Sequence, residues 1–243
     1  MARLNSFFLP PERWAEPFVL DGPEARHLLA VLRAKPGVIV RLFDGAGREG
    51  VFRLARAEKN RAWLDPVEVR EHARPASGLV LALGWNKTGR RDMILEKSVE
   101  LGALGLIFWQ ARRSQGQVPA AAKDSWREKF VQAAKQCGNP WLPELSVLPA
   151  GAAGLPEIAR GFDRCYLLWE SQPAPALPDL AALARGRTLA VLGPEGGLDP
   201  DEVETLTAAG FRPVSLGRRV LRWETAALLC LGLGFFAREV AGP

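Results

Sequence analysis

The sequence predicts an α/β protein in two parts, a small β-rich domain followed by a larger one built on a mostly parallel sheet. Two observations carry this. Between residues 38 and 69, short strand-like runs are separated by turn residues at close intervals, the pattern of a small β-barrel or sheet. After residue 79, apolar strand runs alternate with helical periodicity, as in a sheet covered on both faces. The polar stretch 71–78, which contains Pro75 and Gly78, separates the two rhythms and places the domains at 1–72 and 73–243.

The elements follow in order. Pro23 suits a first helical turn and Leu28, Val31 and Leu32 share a face, so residues 22–32 predict a helix. Strands are predicted over 38–43, 50–54 and 62–64, with Asp44-Gly45 turning the chain after the first. The second domain starts with a buried-strand run at 79–83. A helix at 90–101 carries Ile94, Ser98 and Leu101 on one side. Strands at 106–109, 165–169, 188–192 and 212–216 and helices at 125–136, 201–209 and 224–239 complete the pattern. No internal repeat or low-complexity tract interrupts it.

Composition narrows the function classes. With 48% hydrophobic and 24% charged residues, the chain is an ordinary globular one. Three scattered cysteines (Cys137, Cys165 and Cys230) suggest a reducing compartment without disulfides. Two distant histidines leave a zinc site or a histidine-based triad little to build on, and no metal is expected. Residues 1–10 lack the apolar core of a secretory signal, and the apolar run 226–237 is too short to span a bilayer. A cytoplasmic protein is expected. The net charge of +5 is concentrated: residues 86–137 hold ten basic and five acidic residues, and the rest of the chain balances. Such an excess fits a nucleic-acid partner, and a solvated helical face fits it too. Of the 32 basic residues 25 are Arg, which suits phosphate contacts but also follows from a GC-rich genome.

Three segments can carry chemistry. In residues 189–202 a buried strand ends in Gly193-Pro194-Glu195-Gly196-Gly197, then enters a helix start marked by Asp199, Pro200 and Glu202. Glycines there let backbone pass close to a ligand at the carboxyl end of a strand. The loop lacks both G-x-G-x-x-G and G-K-[ST], which disfavours a nicotinamide oxidoreductase. In residues 215–227 a strand again ends at a glycine, Gly217, passes Arg218, Arg219 and Arg222, and enters a helix at Glu224. The third segment, 87–102 with Arg112-Arg113-Ser114 downstream, supplies most of the local positive charge.

Together these segments resemble the ribosomal RNA small subunit methyltransferase E family of the SPOUT superfamily, which methylates N-3 of a uridine in 16S ribosomal RNA. The matching pieces run in the family's order: Val31-Leu32-Arg33 to Gly37, 96–102 (EKSVELG), Gln136-Cys137, 193–197 (GPEGG), and Leu216-Gly217 with Val220-Leu221-Arg222 and Glu224-Thr225-Ala226. The resemblance implies a PUA-like β-barrel that binds RNA, then a SPOUT α/β domain with a trefoil knot, in a protein that dimerises. It implies S-adenosyl-L-methionine held by three loops: Leu168, Trp169 and Glu170; Leu192, Gly193, Pro194, Glu195, Gly196 and Gly197; and Leu216, Gly217, Val220, Leu221 and Arg222, with Ala226 behind them. N-3 methylation needs a proton acceptor and donors for charge growing on the uracil oxygens. Arg222 is the candidate donor, and Glu224 or Glu195 the candidate base. Arg33, Lys87, Arg90, Arg91, Arg112, Arg113, Arg218 and Arg219 are the expected RNA contacts, with 16S ribosomal RNA or the small subunit as partner. Two departures stand out: Asn139 lies where the family commonly has an arginine, and Trp223 where it usually has threonine. The alternatives are a non-catalytic RNA-binding protein with a degenerate methyltransferase domain, or a SPOUT enzyme that modifies another RNA position.

Overall fold

A computed structural model describes residues 4–87, 89–169 and 176–242. The chain divides into two compact units: residues 1–74 with 131–142, and residues 75–130 with 143–243.

The first unit is a five-stranded sheet in the order β1-β3-β4-β5-β2. Its strands are β1 (Ser6–Phe8), β2 (Phe18–Leu20), β3 (Ile39–Phe43), β4 (Arg48–Glu58) and β5 (Arg61–Glu71). Only β1 and β3 pair in parallel. One face is apolar: Phe7, Leu20, Val40, Leu42, Phe52, Leu54 and Leu64 close over a core with Ala25 and Leu28. Those last two come from helix α1 (Gly22–Arg26) and the π-helical turn His27–Val31 that continues it. The turn after β3 is fixed by a buried carboxylate. Asp44 accepts hydrogen bonds from Ala46 N at 2.7 Å, Arg48 N at 2.9 Å and Arg48 Nε at 2.6 Å, so its burial leaves no charge unpaired.

Residues 138–141, the site of the Asn139 departure, pack in this unit. Trp141 lies so close to Gly47 that a Cβ there would meet the indole at 2.3 Å. Asn139 Oδ1 accepts from Trp141 N at 2.9 Å and holds that turn.

The second unit is a six-stranded sheet, β11-β9-β10-β6-β7-β8, in which every pairing is parallel. The strands are β6 (Gly78–Gly84), β7 (Gly105–Trp109), β8 (Glu144–Leu148), β9 (Arg164–Leu168), β10 (Arg187–Leu192) and β11 (Arg212–Val214). The central strand β6 is buried throughout, which is why it reads as an unbroken apolar run. The connecting helices are α2 (Arg90–Glu100), α3 (Asp124–Cys137), α4 (Leu155–Ala159), α5 (Leu180–Leu183), α6 (Pro200–Ala208) and α7 (Trp223–Ala241). On one face Leu155, Val203, Leu206 and Phe211 pack over Val80, Ile107, Leu167 and Val191. Helix α7 packs against β6, β10 and α2. From α7, Arg238 Nη2 donates to the carbonyls of Leu101 at 3.1 Å and Gly102 at 2.9 Å, satisfying the open end of α2.

Candidate active site

Three strand ends on the carboxyl edge of the parallel sheet open into one cavity of about 380 Å³. Such edges are where open α/β sheets bind ligands. After β9 come Leu168 and Trp169; after β10 come Leu192, Gly193, Pro194, Glu195 and Gly197; after β11 come Leu216, Val220, Leu221 and Arg222. Ala226 lies behind them on α7. Of the residues expected to hold the cofactor, Gly196 and Gly217 shape the loops without lining the cavity, and Glu170 lies outside the described residues.

The local sequence explains why these loops hold their shape. A Cβ on Gly84 would sit 2.4 Å from Pro194 N, so the loop after β10 rests directly on the end of β6. Gly197 has φ +74°, and its N–H donates to Pro194 O at 2.9 Å, closing the turn. Helix α6 then begins in a complete capping box. Its buried Glu202 accepts from Asp199 N at 3.0 Å and from Arg112 N at 2.8 Å. In the β11 loop, Ser215 Oγ donates to Gly217 O at 2.7 Å and accepts from Gly217 N at 3.2 Å, supporting Gly217 at φ +131°.

The charged groups form two sets. On the rim, Arg90 Nη1 reaches Glu224 Oε1 at 2.9 Å and Oε2 at 3.1 Å, with Glu195 Oε1 at 3.9 Å. The two candidate bases therefore flank one guanidinium. Arg222 is exposed at the cavity; its carbonyl accepts from Ala226 N at 2.9 Å, and its guanidinium makes no hydrogen bond or ion pair among the described residues. Away from the rim, Arg112 Nη1 pairs with Asp199 at 2.9 Å and Asp201 at 2.5 Å. The hydrogen bond and charge of Asp201, then the charge of Asp199, raise the Arg112 pKa. Arg113 Nη1 donates to Gly196 O at 3.4 Å.

Four expected RNA contacts thus have other partners, Arg90 among them through its pair with Glu224. Arg112 and Arg113 brace the loop at 196–201, because acidic groups and a carbonyl face them there. Arg91 is turned inward between the rings of Trp85 and Trp126, 4.9 Å from each centroid. Burial pulls its pKa down, with nearby Asp92 opposing. Arg33, Lys87, Arg218 and Arg219 remain exposed, and Arg219 also lines the cavity.

Sequence reasoning passed over Leu198, Val214 and Ser215 as wall residues. Trp223 forms part of the wall with its indole N–H unpartnered among the described residues. Asn86, just past β6, is 1% exposed with both amide atoms likewise unpartnered. Its only sequence signal is a polar residue ending an apolar strand.

An RNA methyltransferase domain family matches residues 73–234, and an RNA methyltransferase PUA domain family matches residues 20–67. The ribosomal RNA small subunit methyltransferase E of Mycobacterium tuberculosis is 33% identical over 230 residues, covering 88% of this chain and 84% of that protein. The chain belongs to the ribosomal RNA small subunit methyltransferase E family. The Bacillus subtilis member is 27% identical and covers 93% of this chain and 92% of its own. The Neisseria gonorrhoeae member, solved bound to S-adenosyl methionine, superposes with a TM-score of 0.77 at 28% identity, covering 94% and 95% of the two chains. A Legionella pneumophila methyltransferase, solved with bound cofactor SAM, gives a TM-score of 0.80 at 27% identity over 96% and 97%. The family's fold expectations, a PUA domain ahead of a parallel α/β methyltransferase domain, therefore hold for this chain.

Proposed function

We propose that this family member transfers a methyl group from S-adenosylmethionine to N-3 of a uridine in 16S ribosomal RNA. The observation that carries the reading is the cavity formed by three strand ends, two of them punctuated by glycines. Its volume falls in the range of about 300–1,000 Å³ common for small-molecule sites. The residues fit such a cofactor. Leu168, Leu192, Leu216 and Leu221 supply apolar walls, and the close seat of Pro194 on Gly84 keeps side chains out of the loop's path. Bound there, the cofactor supplies an electrophilic methyl on a cationic sulfur: the bond from N-3 to carbon forms as the sulfur–carbon bond breaks, and sulfur keeps that electron pair.

The protein's part is alignment and charge. Backbone of 192–197 and 216–222 would hold the cofactor beside the rim. A rim carboxylate, Glu195 or Glu224, takes the proton from N-3, and Arg222 donates toward the uracil oxygens. Arg33, Lys87, Arg218 and Arg219 meet RNA phosphates, with residues 1–72 as the RNA-binding domain, joined by 131–142, and the remainder of 73–243 as the methyltransferase domain, its C-terminal chain knotted as in SPOUT proteins. The enzyme works in the cytoplasm as a homodimer. An outward apolar stripe on α7 supports the last point, with Phe236 60% and Val240 69% exposed; sedimentation at micromolar concentration checks it. No helix is long and apolar enough to cross a membrane among the described residues.

The test of the main reading is nucleoside mass spectrometry of 16S ribosomal RNA, free and in small subunits, after incubation with protein and labelled cofactor. Label in 3-methyluridine is the expected result; label in another nucleoside, or none, would sink the reading.

A further inference from the structure

We propose that Arg90 is a catalytic residue that donates to the uracil ring as negative charge builds on it, and that Glu224 is the positioning residue that holds Arg90. The inference rests on the N-3 reading above and assigns a part in the chemical step to a residue otherwise expected only to touch RNA.

The geometry is specific. Arg90 opens α2 and lines the cavity. A single nitrogen, Nη1, meets both oxygens of Glu224, at 2.9 and 3.1 Å. Nε and Nη2 make no hydrogen bond among the described residues. One corner of the guanidinium is therefore tethered while its remaining donors stay available. Glu224 is the more enclosed carboxylate of the rim, with its side chain 13% exposed against 32% for Glu195. The start of α2 is itself anchored, since the neighbouring Arg91 is stacked between Trp85 and Trp126 at 4.9 Å from each.

A planar, permanently charged fork held this way suits a delocalised anion such as uracil losing its N-3 proton, whose charge spreads onto O2 and O4. Donors already in place where charge appears act most strongly in the transition state. The same contact argues against Glu224 as proton acceptor. Protonating it would dissolve the pair that holds Arg90, whereas Glu195, at 3.9 Å, stands outside that tight contact.

The experiment compares Arg90→Ala, Arg90→Lys, Glu224→Gln and the double variant Arg90→Ala with Glu224→Gln, each checked for folding by thermal melting. The assay measures kcat and KM for 3-methyluridine formation on ribosomal RNA, and calorimetry measures S-adenosylhomocysteine affinity. Arg90→Ala should lower kcat about 100- to 1,000-fold, with cofactor product affinity and RNA KM nearly unchanged. Arg90→Lys should recover part of the loss. Glu224→Gln should cost less than Arg90→Ala, keep the wild-type pH profile, and add nothing in the double variant. An Arg90→Ala protein with normal kcat and raised RNA KM would make Arg90 a phosphate contact and overturn the proposal. A Glu224→Gln defect that shrinks as pH rises would make Glu224 the proton acceptor and overturn its positioning role. Failure of the wild type to form 3-methyluridine is a separate result, and it overturns the underlying reading along with this one.

Discussion

Two pairs of adjacent arginines, Arg112 with Arg113 and Arg218 with Arg219, look alike in the sequence, and each lies beside a loop of the cavity. Their surroundings differ. Arg112 and Arg113 face Asp199, Asp201 and the carbonyl of Gly196, so groups of the protein itself meet their charge at the surface. Arg218 and Arg219 stand exposed after Gly217, and no acidic side chain pairs with them among the described residues. A basic pair is therefore engaged within the protein or left open to solvent according to what faces it, and charge counting along the chain cannot separate the two.

The sharpest way to test the braced loop is to push it. Gly84→Ala would place a methyl 2.4 Å from Pro194 N, a backbone atom that can move only with its loop. We expect a stability loss of about 1–3 kcal/mol and at least a roughly tenfold weaker S-adenosylhomocysteine affinity, one decade being about 1.4 kcal/mol. Unchanged affinity by calorimetry would show that this loop does not shape the site. A milder effect is expected of Arg112→Ala with Arg113→Ala: a several-fold loss of cofactor affinity, because exposed ion pairs contribute only about 0–1 kcal/mol each. The salt dependence of RNA binding should not change. Arg218→Ala should do the converse, leaving cofactor affinity intact and lowering the slope of log affinity against log salt by roughly 0.7 to 0.9. If the two variants exchange these behaviours, the comparison is wrong.

The smallest effect belongs to the first unit and serves as a control. Burial alone pushes Glu49 upward, but hydrogen bonds and charge from Arg41 at 2.6 Å and His72 at 2.7 Å outweigh it and hold the carboxyl below its ordinary value of 4.5. A carboxylate depressed in the folded state stabilises above its unfolded pKa, and that contribution is lost as pH falls through the folded value. Glu49→Gln should therefore flatten the fall in melting temperature below pH about 4.5 while leaving both loops' behaviour alone. A melting profile in acid that matches the wild type would remove this ion pair from the account.

Much of this architecture was legible because its signals are local. The buried strands β6, β7 and β10 carry unbroken apolar runs, and glycines mark the loops at 193–197 and 217 where those strands or their neighbours end. Other elements gave no such signal. Strands β1 and β2 have three residues each, too short for alternation to register. Strand β8 buries none of its residues fully. Strands β4 and β5 run to eleven residues each, and their exposed stretches, 55–58 and 65–71, bury nothing that would mark them as strand, although each pairs with the more buried half of the other. In the site, the loops could be read but the ion pairs could not. Arg90 and Glu224 are 134 positions apart, and Arg112 lies 87 positions from Asp199, so only the fold brings them together.

Helix α3 has a consequence for any attempt to treat this protein as two exchangeable modules. It is one continuous helix, yet from Val131 onward it and the chain to Leu142 belong with the N-terminal sheet. A gene cut at the polar link near residue 74 would remove Leu142 from Gly45, Trp141 from Gly47 and Lys135 from its ion pair with Glu24. The N-terminal module is thus encoded in two separate stretches, and a graft that copies only the first would carry an unfinished wall. Recombination between relatives can exchange this module cleanly only if both stretches travel together.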